Sequence, residues 1–215
     1  MHSLWARATA VGHFGSYSLA VLVALQAASS FFHVNTPNFG ASEVNINLVG
    51  LRTARKSDAA IVTFDASFDI SSAYNWNAKN IFVFLVAEYE TASNARNEVV
   101  VWDHVAESPA ACVMALSSVY NKYPLADQYA ELRGRNVTFK LKWDTAVVGG
   151  PFRVAEVPRG SFALTLPEAY TDRKAFAAAD RAAQKYLRDA AARARKKAAD
   201  EREAARKVRD KARKI

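Results

Sequence analysis

The sequence has a single cysteine, Cys112. No disulfide can form within the chain, and no cysteine-based metal site can be built. Histidine is almost as scarce: His2, His13 and His33 precede the main body, and His104 alone lies inside it. One histidine is too few for a usual metal site. The eight glycines are scattered and form no phosphate-cradling loop. There is no G-x-S-x-G elbow and no S-x-x-K. Two further absences divide the chain. No Asp, Glu, Lys or Arg occurs from Ala8 through Ser42, and no Gly or Pro occurs from Thr171 to Ile215.

Charge is unevenly placed. Residues 172–215 hold 16 basic and 7 acidic side chains, which leaves 13 and 14 in the rest of the chain. The net charge of +8 therefore belongs to the tail, and a nucleic-acid role for the body is not expected. About half of the residues, 51%, are apolar, enough for a folded domain with a core.

The uncharged N-terminal window reads as a membrane segment over residues 11–34, centred on Leu19–Leu25, with residues 1–10 before it. It is long enough to cross a bilayer, which takes about 20 helical residues. Arg7 precedes it and the next charge is Glu43, which places the N-terminus on the cytosolic side. Three readings stay open: a retained signal anchor, a signal peptide cleaved near the small residues Ala27–Ser30, and a transit peptide. Phe31, Phe32 and Val34 extend the apolar stretch beyond the small residues, which favours retention.

Residues 35–170 read as the next domain, and from Glu43 to Tyr170 the dominant period is two. Val44, Ile46 and Leu48 alternate with polar residues. So do Val62, Phe64, Ala66, Phe68 and Ile70; Val137, Phe139, Leu141 and Trp143; and Phe162, Leu164 and Leu166. Each is a strand with one dry face. Ile81–Ala87 is apolar on both faces, so a second cover, from this chain or a partner, is expected. With Glu98–Trp102 it forms a hairpin. A further strand near Cys112–Leu116 brings the number to about seven, and a mainly β, two-sheet sandwich follows. Pro109, Pro124, Pro151, Pro158 and Pro167 read as punctuation between strands, and Gly149-Gly150-Pro151 as a loop. Trp76, Trp102 and Trp143 read as core anchors.

The segment 171–215 reads as one long basic helix. Thr171 or Asp172 caps it, and Ala, Lys, Arg and Glu favour it. Its large apolar residues (Phe176, Tyr186, Leu187, Val208, Ile215) do not sustain a heptad seam. A solvated helix with pairs such as Glu203 and Lys207 is expected, and contact with acidic lipid or protein stays open.

Chemistry is sparse. Asp103-His104 could pair an orienting acid with a base, but a nucleophile would have to come from elsewhere. Glu88 and Glu90 are spaced for one strand face, without a defined cleft. No catalytic, cofactor or metal residue is assigned. Asn136-Val137-Thr138 fits the glycosylation triplet.

One block carries a resemblance. Trp76-Asn77-x-Lys79, the apolar run, Ala87-Glu88-Tyr89, an Asn-rich turn and Asn97-x-Val99-Val100-x-Trp102-Asp103 resemble subunit 3 of the eukaryotic signal peptidase complex. Phe64-Asp65 in an early strand, and Asn136-Val137-Thr138 opening a strand that ends in Trp143, extend the likeness over roughly 1–170. The resemblance implies a single-pass type II protein of the endoplasmic reticulum membrane with a luminal sandwich. It implies a non-catalytic subunit that stabilises and positions a separate Ser/His/Asp protease subunit near the luminal membrane surface, with other subunits as partners. It implies a glycan on Asn136 and no cofactor. The basic tail departs from the family's compact C-terminus. A secreted or luminal binding sandwich with a cleaved signal peptide is the alternative.

Overall fold

A computed structural model describes residues 3–29, 42–54, 57–148 and 154–212. Phe31, Phe32, Val34 and the Gly149-Gly150-Pro151 loop lie outside the described residues. Helix α1 (Leu4–Ser29) comes first, then β1 (Glu43–Ala54), β2 (Ser57–Asp69), β3 (Ala78–Tyr89), β4 (Asn97–Ala106), β5 (Val113–Tyr120), β6 (Leu125–Asp127), β7 (Asn136–Val147) and β8 (Val154–Thr165). Helix α2 (Arg173–Ala212) closes the chain. The fold is mainly β, as the period of two requires.

Two antiparallel sheets stack face to face. In the first, β2 lies between β1 and β5, and the short β6 joins the early part of β2 on the β5 side. The second has the order β4-β3-β7-β8. The dry faces meet in one core that includes Ile46, Leu51, Phe64, Ile81, Leu85, Phe139 and Leu141. Trp102 and Trp143 are buried in it, and Trp102 meets Phe64 edge to face at 5.5 Å. Trp76 does not anchor the core. It sits in a turn before β3 and is 58% exposed.

Pro158 does not separate strands either; it lies within β8. The pairing of β8 with β7 jumps from Lys140↔Ser161 to Lys142↔Glu156, so residues 157–160 form a bulge opposite Leu141. β8 is an edge strand, where a missing N–H breaks no ladder bond. Arg159 takes a positive φ of 60°. A Cβ on Gly160 would stand 2.9 Å from the Val157 carbonyl oxygen, so the bulge requires glycine there.

Helix α2 begins on Asp172, whose Oδ2 accepts from the backbone N–H groups of Lys174 (2.9 Å) and Ala175 (3.3 Å). Just before it, Thr171 clasps β1: its N–H donates to the Leu51 carbonyl at 2.8 Å, and its Oγ1 accepts from the Leu51 N–H at 2.9 Å. The helix is not solvated along its whole length. Phe176, Ala179 and Ala183 pack on Val49, Ile61 and Tyr120 on the outer side of the first sheet. Gly50, at a register shift in β1, leaves room for the Phe176 ring: a Cβ there would approach it to 3.0 Å. Arg52 lies over the same ring at 4.7 Å, and the Tyr186 ring meets that of Tyr120 at a tilt, with centroids 5.6 Å apart. Beyond Leu187, the described side chains are exposed. There the Glu203–Lys207 pair forms at 2.6 Å.

Helix α1 is 26 residues long, apolar and exposed for most of its length, long enough to cross a membrane. Near its end, Gln26 Nε2 donates to Asn77 Oδ1 at 3.2 Å.

Candidate functional site

Strands β3 and β4 carry the residues with chemistry. The hairpin is register-shifted between Leu85 and Val86, where β4 skips from Trp102 to Val100. Val101 is the extra residue and is fully buried. Beyond this bulge, successive residues again alternate between faces. His104 pairs with core-facing Val83, and Asp103 with Phe84 on the outer face. The two neighbours in sequence therefore point apart. The Asp103 carboxylate is held by Lys122 Nζ at 3.1 Å, and that ammonium also donates to the Asp103 carbonyl at 2.6 Å. The His104 ring lies nearly parallel to Trp102, with centroids 6.2 Å apart. Burial, then the positive charge of Lys122, lowers its pKa, against a smaller opposing pull from Asp103. A neutral ring stacked on indole is a packing element. Cys112 is buried, and its thiol, pushed up to about 11 by burial and by Asp69, donates to the Ser108 carbonyl.

Glu88 and Glu90 line one cleft but stand in different surroundings. Glu90 follows the end of β3 and is exposed. Glu88 meets Lys140 at 2.7 Å and Lys142 at 2.6 Å. Burial raises its pKa, but the two ammonium groups outweigh burial and hold it at about 2. Glu88 is thus a fixed anion, not a proton carrier. Glu98 stands 3.6 Å from Lys142 and pairs with Arg96. Glu88, Lys140 and Arg96 of this network line a cleft of about 610 Å³ together with Glu90, Arg135, Asn136 and Thr138. Asn136 is exposed at the start of β7, and Thr138 follows two residues later on the same face.

The second cover that the doubly apolar strand requires comes partly from this chain. Lys142 pairs with Phe84 across the ladder yet bonds Glu88 four residues further along. Its aliphatic stem must run over Val86, which is only 3% exposed. Phe82 and Phe84 stack on each other at 5.1 Å and are half-buried. Val100 and Val105 beside them are exposed. The outer face of the second sheet is therefore an apolar strip bordered by the Glu88 network. Helix α2 covers the other sheet.

Sequence reasoning placed Glu88, Asp103 and His104 in one stretch, but the pleat and the bulge separate their side chains. It missed Lys140 and Lys142 as the partners of Glu88. Their alternation with Phe139 and Leu141 was the available signal. Among the described residues, no group of three or more His, Cys, Asp or Glu side chains is placed to hold a metal ion.

Residues 1–169 match the family described as "Signal peptidase subunit". Proteins called signal peptidase complex subunit 3 are similar to this chain. The one from Caenorhabditis briggsae is 32% identical over 179 residues, covering 80% of this chain and 97% of the relative. That from Gallus gallus is 31% identical over 169 residues, with 75% and 93% covered. That from Homo sapiens is 32% identical over 122 residues, with 56% and 67% covered.

Proposed function

The chain belongs to the signal peptidase subunit family, and on that premise we propose that it is a non-catalytic subunit of the signal peptidase complex. In this reading it supports removal of signal peptides from nascent proteins at the endoplasmic reticulum membrane, and it stabilises and positions a separate catalytic subunit near the luminal membrane surface. The observation that carries the reading is the family match across α1 and the whole sandwich. The separated Asp103 and His104 side chains are consistent with chemistry located elsewhere.

Helix α1 (Leu4–Ser29) serves as a retained signal anchor whose N-terminal end faces the cytosol. The sandwich of 35–170 lies in the lumen, where Asn136 carries a glycan. The apolar strip of Phe82, Phe84, Val100 and Val105 meets the catalytic subunit. The tail of 171–215 has no counterpart in the family match, which ends at residue 169.

Affinity purification of the full chain from endoplasmic reticulum membranes is expected to retrieve a Ser/His protease subunit together with signal-cleavage activity. Recovery of neither would refute the assignment. Replacing both Val100 and Val105 by arginine is expected to reduce recovery of the protease subunit severalfold without shifting the melting of the sandwich. N-terminal sequencing of the mature chain tests the anchor: a chain beginning after Ala28 would mean a cleaved signal peptide and a released protein.

A further inference from the structure

One end of the sandwich carries several exposed large apolar side chains. Trp76 is 58% exposed, Val113 56%, Val148 68% and Val154 62%. They come from four separate parts of the sequence, and the fold gathers them. Val148 donates its N–H to the Asn77 carbonyl at 2.8 Å, which puts it beside Trp76. Val154 opens β8 opposite Asp144, near the end of β7. Val113 pairs with Asp69 at the end of β2, just before the 3₁₀ turn Ser71–Ala73 that leads to Trp76. The Tyr74 hydroxyl lies 2.9 Å from both the Lys79 and the Glu107 carbonyl oxygens and shares its one proton between them, tying this turn to the exit of β4.

The same end receives α1. Gln26, in the last turn of that helix, donates to Asn77, the neighbour of Trp76 in sequence. Trp76 is thereby held level with the end of α1. The helix has its own tryptophan near the other end, Trp5, and that residue is 81% exposed. From Trp5 to Gln26 is 21 residues, or about 32 Å at 1.5 Å per residue. The hydrocarbon core of a bilayer is about 30 Å thick, and Trp is enriched at both of its boundaries. The charges at this end are Lys79, Glu107 and Glu43, exposed, with half-buried Asp69 and Asp144, so a zwitterionic head-group layer suits it better than an acidic one.

We propose that this end of the sandwich rests in the bilayer interface, with Trp76, Val113, Val148 and Val154 among the lipid head groups and upper acyl chains. Trp5 marks the opposite boundary. The body would then be fixed in height and tilt on the membrane instead of swinging from a tether. The proposal rests on α1 being a membrane span.

The test uses the full chain in phosphatidylcholine liposomes whose acyl chains are either brominated or plain. Bromine quenches indole fluorescence only on contact. Trp102 and Trp143 are buried in the core and give a constant background. In the Trp5→Phe chain, Trp76 is expected to lose most of its emission to brominated lipid and to be shielded from aqueous acrylamide. The Trp5→Phe/Trp76→Phe chain sets the background. The Trp76→Phe chain reports Trp5 separately. If Trp5 is quenched by bromine and Trp76 is not, α1 is embedded but the body stands off the bilayer, and the proposal fails alone. If neither is quenched, the span reading fails and takes the proposal with it. A Trp76 shielded from acrylamide yet blind to bromine would place a second copy of the chain over this end, which also overturns it.

Discussion

Glu88 shows how a single side chain is defined by residues that arrive on another strand. Its carboxylate is depressed from the usual 4.5 to about 2 by Lys140 and Lys142, against the opposing effect of burial. A depressed acid contributes stability above its unfolded pKa and loses that contribution as pH falls through the folded value. Glu88→Gln is therefore expected to cost about 1.5–3 kcal/mol at neutral pH, the range for a hydrogen bond to a charged group. The gap to the wild type should close as the pH is lowered from about 4.5 to about 2. Denaturant melts of both chains across that range measure it. His104 gives the contrasting expectation. Its alanine variant should lose one stacking contact on Trp102, of about 0.5–1.5 kcal/mol, and leave signal cleavage by the purified complex near normal. Complete loss of cleavage would overturn the reading of His104 as a packing residue.

At the scale of elements, the strands were legible and the docking of α2 was not. A period of two marks Val62–Ile70 and Val137–Trp143 because one face of each is dry and the other wet. Strand β6 left no such mark, since three residues are too few to establish a period. The first half of β8 was hidden because Pro158 looks like a strand terminator, and only its place on an edge makes it tolerable. The candidate site was half legible: Glu88, Asp103 and His104 were found, but their directions depend on the Val101 bulge. The docked face of α2 is Phe176, Ala179, Ala183 and Tyr186, a helical spacing of i, i+3, i+7 and i+10. Two of its four members are alanines, which read as helix formers and not as a hydrophobic stripe. Phe176 and Ala183, buried against Ile61, make the first turns of α2 part of the packing of the body. A chain ending at Leu187 should melt like the full chain. One ending at Tyr170 should lose about 2–4 kcal/mol, in line with removal of a buried aromatic side chain. Thermal melts of the two truncations in detergent separate the docked half of the helix from the exposed half.

At the scale of the molecule, a near-neutral sandwich joins an apolar helix at one end and a basic helix across one flank. In the proposed luminal orientation Asn136 is exposed to the glycosylation machinery. The full chain should then show a mass increase that endoglycosidase removes, and an Asn136→Gln chain should show none. An unmodified wild-type chain recovered from the same membranes would count against the luminal assignment.

The bulge at Val157–Gly160 has one more consequence, for contact between copies of the chain. An edge strand presents unpaired backbone groups that another chain's strand can pair with. Pro158 lacks the N–H such pairing would use, and the left-handed Arg159 turns the backbone out of line. The β8 edge of the second sheet is thus closed to pairing with a strand of a second copy along this stretch.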